Sequence, residues 1–542
     1  MAASDDPWQF SSSPLSARDC RVLAFAGEEA LGEGYVFDIL LLASKVEMKQ
    51  ARDMQEALMR ASLLTLTGRA AAGALFSWNG TAQEVTYAFS SKAGAVYEVR
   101  MRPRAWKLTH SVHSHIFLNM PLPKLLGKLL TEEGLIAGTD FADDMERSYK
   151  ARPFTCRYNE NAFAFLSRGL ERMGGYTYIR QTDDGDVLVL ADGKSAPDAL
   201  APADTLDMRR KDGPPEAVYA FTRTLAAAHG TIGLRDYSSE KPGLTTGSAE
   251  AASDAPWRRG KHAVYGMYDL FGELDCFNRA FAAEDANARA DELAEACLAA
   301  EACKADTARG RSTVPWLRAG CVFRLDGEEY QLLRVRHKFF IPRDELETKI
   351  AELARQEGLI AGEDGKPGYR NAFVCRPRSS GPYAPERRTP RPVMSGVVNA
   401  EIDASGSGEY AELDDKGRYK VKFPFAEKVF YADSDNPGNG NNSIPLRMLQ
   451  AHAGTNSGIH FPLLKGAEVL VGFIHGDPDR PVILGTLPNA ANVSPVADVN
   501  RQTNVISTPG GNSITMVDTR GQQAMHMESA DKKTRISLTM SK

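Results

Sequence analysis

No apolar run in this chain approaches the ~18–20 residues that a membrane-crossing helix needs. The N-terminus, Met1-Ala2-Ala3-Ser4-Asp5-Asp6, carries acid where a secretory signal carries lysine or arginine, and no apolar segment follows. Synthesis as a cytoplasmic protein is therefore expected. Charge of one sign is also scarce: 65 Lys and Arg against 70 Asp and Glu leave a formal charge of -5. That balance gives no long-range pull toward nucleic acid or an anionic bilayer. Cysteines are few, odd in number and scattered (Cys20, Cys156, Cys276, Cys297, Cys303, Cys321, Cys375), with no CxxC pair. Reduced structural thiols are the expectation, and a disulfide framework is excluded. There is no GxSxG, HExxH, P-loop, or GxGxxG between a strand and a helix, so no enzyme class is indicated and no cofactor is expected.

What is present is alternation. Tyr419, Val421, Phe423 and Phe425 fall on one face of a strand and Lys420 and Lys422 on the other. Ile444 to Gln450 and Glu468 to Ile474 read as further strands, and Val482-Ile483-Leu484 as a last short one. His475-Gly476-Asp477-Pro478-Asp479-Arg480-Pro481 between them is a turn, since proline fixes φ and aspartate bonds its own backbone. Short strands with regular turn signals over 395–490 predict a small OB-type barrel. A chain of 542 residues exceeds one core and should hold several domains.

Upstream, residues 1–17 are polar and read as an extended arm. Val22 to Ala26 and Tyr35 to Leu42 are strands, followed by others near Ser62–Leu66, Thr81–Phe89 and Val96–Pro103. Lys124 to Glu133 is an amphipathic helix ended by Gly134, and Asn161 to Met173 a second, stopped by Gly174-Gly175. A hairpin over 176–190 follows. Residues 238–261, rich in Ser, Gly and Ala without periodicity, read as a surface insertion. Glu284 to Lys304 and Asp344 to Glu357 are predicted helices. Five prolines between Arg376 and Pro392 mark a linker, placed at 376–394.

The tail, 491–542, repeats. Ile514 and Met516, Met525 and Met527, then Ile536 and Leu538 are apolar pairs spaced 11 residues apart, each in an alternating strand. A regular array of short strands reads as a β-helix or β-prism. So few repeats cannot bury their own apolar face. Three copies wrapped about one axis would do so, with these six side chains as the shared core.

Candidate chemistry is sparse. His110, His113 and His115 stand in one short run, "THSVHSHIF", and His113 and His115 would share one strand face, which makes a metal site conceivable. With no cysteine or second cluster nearby, polar residues on a strand edge are the plainer reading, and no metal ligand is assigned. Asp143-Asp144 and Asp183-Asp184 sit in turn-like contexts and read as solvated loops. In the barrel, Lys416, Arg418, Lys420 and Lys422 are balanced by Glu409, Glu412, Asp414 and Asp415, so a basic nucleic-acid groove is not expected. Asp477, Asp479 and Arg480 read as a turn with a local ion pair.

The segments "GRYKVKFPF" and "IPLRMLQAHAGTNSGIHFPLLKGAEVLVGFIHGDPDRPVILGTLPN" resemble the signature of the VgrG family, the spike proteins of type VI secretion, shared with hub and spike proteins of contractile phage tails. "RPFTCRYNENAFAFLSRGLERMGGYTYIR" resembles that family's N-terminal half. The resemblance implies a mainly β protein with some α. Residues 18–375 would form a tail-hub-like base of two related β-barrel domains with helices, 395–490 the OB-fold, and 491–542 the start of a trimeric β-helix or β-prism needle. It further implies a homotrimer without enzymatic activity that caps a hexameric tail-tube protein of the Hcp type. Such a spike contacts baseplate proteins, carries a PAAR-repeat tip and effectors, and meets a target membrane only transiently. It binds no nucleic acid and leaves the cytoplasm through the secretion machine itself. A prophage tail hub-spike, or an enzyme-bearing spike whose toxin domain follows the needle, are the alternatives. The stop at Lys542 leaves the needle short or truncated.

Overall fold

The alternation over 22–42 becomes two long paired strands, Cys20–Ala30 and Gly34–Ala43, in a computed structural model of the chain. The structure describes residues 6–44, 46–209, 214–238, 243–251, 258–265, 283–341, 368–431 and 440–540. By its contacts the chain forms two units. One comprises 1–113, 119–153 and 159–391; the other 114–118, 154–158 and 392–542.

The first unit is organised by a twelve-stranded sheet. Strands from residues 8–102 and from 205–377 join in it through the pairing of Cys20–Ala30 with Glu328–Phe340. The core beneath is aromatic. Trp8 lies 4.7 Å from Phe25, Phe37 5.2 Å from Trp78, and Phe25 5.4 Å from Phe339, ring centre to ring centre. Gly27 stands opposite Phe37 in the register, and a Cβ there would strike its ring, so the glycine makes room for the phenylalanine. A polar thread crosses this core: His337 Nε2 bonds Glu29 at 2.9 Å and its Nδ1 meets the Tyr369 hydroxyl at 2.6 Å.

From residue 6 on, the expected N-terminal arm packs into that core, which corrects the reading for residues 6–17. Trp8–Ser12 is a strand paired with Leu64–Arg69, and Trp8 and Phe10 are buried. Five residues of alternating aromatic and polar character suffice when two aromatics fill a cavity, and polar flanks hid them.

The two amphipathic helices are Leu122–Glu132 and Ala162–Arg172. Leu125, Leu126, Leu129 and Leu130 are buried on the first. Asn161 caps the second by accepting from the Ala164 amide at 2.8 Å. The hairpin is Tyr176–Thr182 with Gly185–Ala191. A helix over Ala51–Arg60 had no counterpart in the sequence reading.

The supposed surface insertion also needs correcting. Gly243–Glu250 pairs with Thr231–Ser238 as a β-hairpin, and Lys261–Tyr265 adds in parallel. Helix Ala283–Ala305 packs there, with Ala249 beside Ala290, Leu293 and Ala294 in one cluster. A Cβ on Gly247 would collide with the Ala290 backbone. Small residues here serve close approach, not looseness. The expected helix at 344–357 and Cys276 lie outside the described residues.

The proline-rich stretch is fastened to the first unit. Glu171 accepts from the Arg388 and Thr389 amides, both at 2.9 Å, and Lys304 reaches Glu386 at 2.7 Å. Tyr383 stands edge-on to Tyr176. Proline removes backbone donors, and these side-chain bonds satisfy part of what remains.

The second unit contains a four-stranded sheet of Val421–Lys422, Val397–Ile402, Glu468–Phe473 and Pro481–Thr486. Tyr419, Val421 and Phe423 are buried as the alternation requires, and Phe425 partly so. The predicted strand over 444–450 is reduced to bridges, Tyr419 with Leu446 and Met448 with Ile483. Segments 114–118 and 154–158 supply Ile116, Leu118, Phe154 and Cys156 to the same core.

Candidate functional site

Residues 503–539 build an antiparallel meander of four strands, Thr503–Ser507, Ser513–Val517, Ala524–Glu528 and Arg535–Thr539. Ala524–Glu528 and Arg535–Thr539 alternate long apolar side chains with polar or small ones, the composition that suits a half-covered strand, while the first two strands also carry adjacent apolar residues, Val505-Ile506 and Met516-Val517. Turns are set by Gly511 and Gly521, both at positive φ, and by Lys532, which occupies the same region without a glycine's freedom.

The register places the six candidate core residues on one face. Ile514 stands opposite Met527 and Met516 opposite Met525. Met525 then faces Leu538, and Met527 faces Ile536. Directly opposed residues of an antiparallel pair share a face, so the pairs form a continuous apolar field. Ile506, opposite Ile514, extends it, and Asn504 closes its corner by bonding Asp518 at 2.7 Å. The reverse face is mixed: it holds Val505, Val517 and Ala524 beside polar pairs, His526 meeting Ser537 at 3.0 Å and Arg535 pairing with Glu528 at 3.2 Å.

Not one residue from 501 to 540 is buried in the single chain. Met527 keeps 49% of its surface exposed, Ile536 60% and Leu538 65%. A contiguous apolar face left bare in water marks an interaction surface.

Other singled-out residues fall elsewhere. His110 packs on Trp106, and His113 and His115 do share a face of strand Val112–Met120, with His115 buried against Phe430. Asp183 and Asp184 are exposed at the hairpin tip. Asp144 is structural, paired with Arg180 at 2.8 Å, and Arg180 also holds Asp198. Burial pushes the Asp143 carboxyl up. Burial acts the same way on nearby Asp192, but the Arg147 and Lys194 amides outweigh it and hold that carboxylate below its usual range.

Asp477 and Asp479 form the predicted turn, yet both are buried. Asp479 accepts from the Cys156 amide at 2.6 Å and its own amide donates to Asp477, so this turn is sewn to segment 154–158. A distant strand was the signal that local reading lacked. Burial pushes the Cys20 and Cys321 thiols up to about 12, which suits inert structural cysteines. Among the described residues no helix is long and apolar enough to cross a membrane.

Residues 28–341 match the phage tail baseplate hub (GPD) family, more than half of the chain, and the protein belongs to that family. Residues 434–487 match the type VI secretion system/phage-baseplate injector OB domain. Within this class the chain is a relative of VgrG spikes. It is 27% identical over 500 residues to the type VI secretion system spike protein VgrG1b of Pseudomonas aeruginosa, covering 89% of this chain and 60% of that protein. To VgrG5 of the same organism it is 26% identical over 541 residues, covering 93% of this chain and 61% of that one. The chain thus spans about three-fifths of the length of these relatives. The fold is shared with the Escherichia coli c3393 protein, a type VI secretion component, at a TM-score of 0.57 and 21% identity over 88% of this chain and 100% of that one.

Proposed function

We propose that this chain is the structural spike of a contractile injection apparatus of the type VI kind, acting as a homotrimer. The observation that carries this reading is the bare apolar face of residues 503–539. Ile514, Met516, Met525, Met527, Ile536 and Leu538 become a shared core when three copies wrap about one axis, and the sheet becomes the beginning of a needle. Burial of apolar surface contributes about 25 cal/mol per Å², so closing this face would drive association. A closed trimer leaves no lateral strand edge to fray, and force passes along it to the tip.

In this reading residues 18–375 form a base of two related barrels per chain, so that three chains present six similar modules to a hexameric Hcp-type tube. The chain is not an enzyme. A PAAR-repeat tip and effectors ride on the needle, and export is by the secretion machine itself. The family match to phage hubs supports a second setting, a prophage tail, with the same mechanics.

Electron microscopy of the purified chain mixed with hexameric tail-tube rings tests the assignment. Threefold particles capping the rings are expected. Single-chain particles, or rings left uncapped by well-formed trimers, would contradict it.

A further inference from the structure

The first unit carries a feature that the spike role does not use. Three neighbouring strands, Asp306–Ser312, Gly368–Pro377 and Glu328–Phe340, place arginines in two parallel rungs. Val374 stands between Arg309 on one side and Arg334 on the other; Ala372 stands between Arg311 and Arg336. Adjacent strands are ~4.8 Å apart, so each rung sets two guanidinium stems ~10 Å apart over a small side chain. The four arginines, with Ala372 and Val374 between them, line a groove of about 580 Å³. Gly310, between Arg309 and Arg311, makes room for the Phe373 ring, which is buried.

The two halves of the cradle are unequally neutralised. Glu28 bridges Arg334 and Arg336, which lie two apart on their strand, bonding Arg336 at 3.0 Å, and Glu33 takes Arg334 at 2.7 Å. Arg309 and Arg311 have the same spacing and are exposed, with no carboxylate partner among the described residues. Glu28 is thus a template for what the open half would hold. A guanidinium presents fixed parallel donors that fit a carboxylate. On an extended guest, side chains of one face recur every two residues, ~6.7 Å, the repeat of Arg309 and Arg311 themselves.

We propose that this groove binds an extended acidic segment of a partner polypeptide, whose carboxylates lie on Arg309 and Arg311 as Glu28 lies on Arg334 and Arg336. A nucleic-acid strand fits less well: Phe373, the aromatic among the lining residues, is buried and offers bases no open ring face to stack on. The inference is independent of the spike reading.

The test uses the full chain and a fluorescein-labelled peptide of alternating glutamate and threonine. Comparators are the same peptide with glutamine for glutamate, an oligothymidine of matched length, and inorganic phosphate as competitor. Binding of the glutamate peptide is expected to weaken about tenfold in Arg309→Ala/Arg311→Ala, to recover in part in Arg309→Lys/Arg311→Lys, and to fall with salt. Melting temperatures check that both variants are folded; should the alanine pair fail to fold, the lysine pair and the glutamine peptide carry the test. Absence of binding, equal binding by the alanine pair or the glutamine peptide, or tighter arginine-dependent binding of oligothymidine or phosphate would each overturn the proposal.

Discussion

The first unit and the C-terminal sheet solve the same problem differently. In the first, Phe10, Phe25, Phe37 and Trp78 have their partners in the same chain and are fully or almost fully buried. In the second, residues of equal apolarity are aligned into a face by register, and nothing from 501 to 540 is buried. The hub's aromatic core closes within one chain, whereas the apolar face of the tail stands open. Stability of the one should therefore be independent of protein concentration, and order in the other should depend on it.

Deleting a ring from the closed core tests the first half of that contrast. Phe37→Ala leaves a hole under Gly27 and should cost about 3–5 kcal/mol, read as a lower denaturation midpoint that does not change with protein concentration. Ile536→Ser/Leu538→Ser should do the reverse, leaving the hub's melting transition in place while the assembled mass falls. A drop in hub stability with assembly intact would erase the distinction.

Titration sharpens it further. Burial pushes the Asp306 carboxyl up, but the Arg223 fork at 2.7 and 2.8 Å and the Ser380 hydroxyl outweigh burial and hold it below the usual carboxylate range. A depressed folded value stabilises the chain above the unfolded value, about pH 4, and that contribution is lost as pH falls through the folded one. Asp306→Asn should therefore flatten the acid side of the hub's stability profile and leave the tail's association unchanged. The smallest effect is expected at Lys532, the non-glycine at positive φ in the third turn. Lys532→Gly should gain about 1 kcal/mol in the assembled tail, seen in its melting transition alone.

What could be read from sequence follows the same division between local and distant. Helices 122–132 and 162–172 were legible because an apolar stripe of 3.6-residue period and a glycine stop are local signals. The tail's apolar pairs were legible because their 11-residue spacing becomes register once the turns are fixed. Trp8 and Phe10 were not, since only the distant cavity they fill tells a strand from an arm. The seam between Asp479 and Cys156 links residues 323 positions apart, and no periodicity encodes such a pairing. Gly247 looked like loop composition until Ala290 was seen behind it. The arginine cradle comes from three separated strands whose mutual register is purely tertiary.

Light scattering on the full chain across a dilution series tests the central claim most directly. A mass three times that of one chain, giving way to the monomer on dilution or in Ile536→Ser/Leu538→Ser, is the predicted result. A stable, fully ordered monomer at every concentration would contradict it, because the face from Ile514 to Leu538 would then stand uncovered in water.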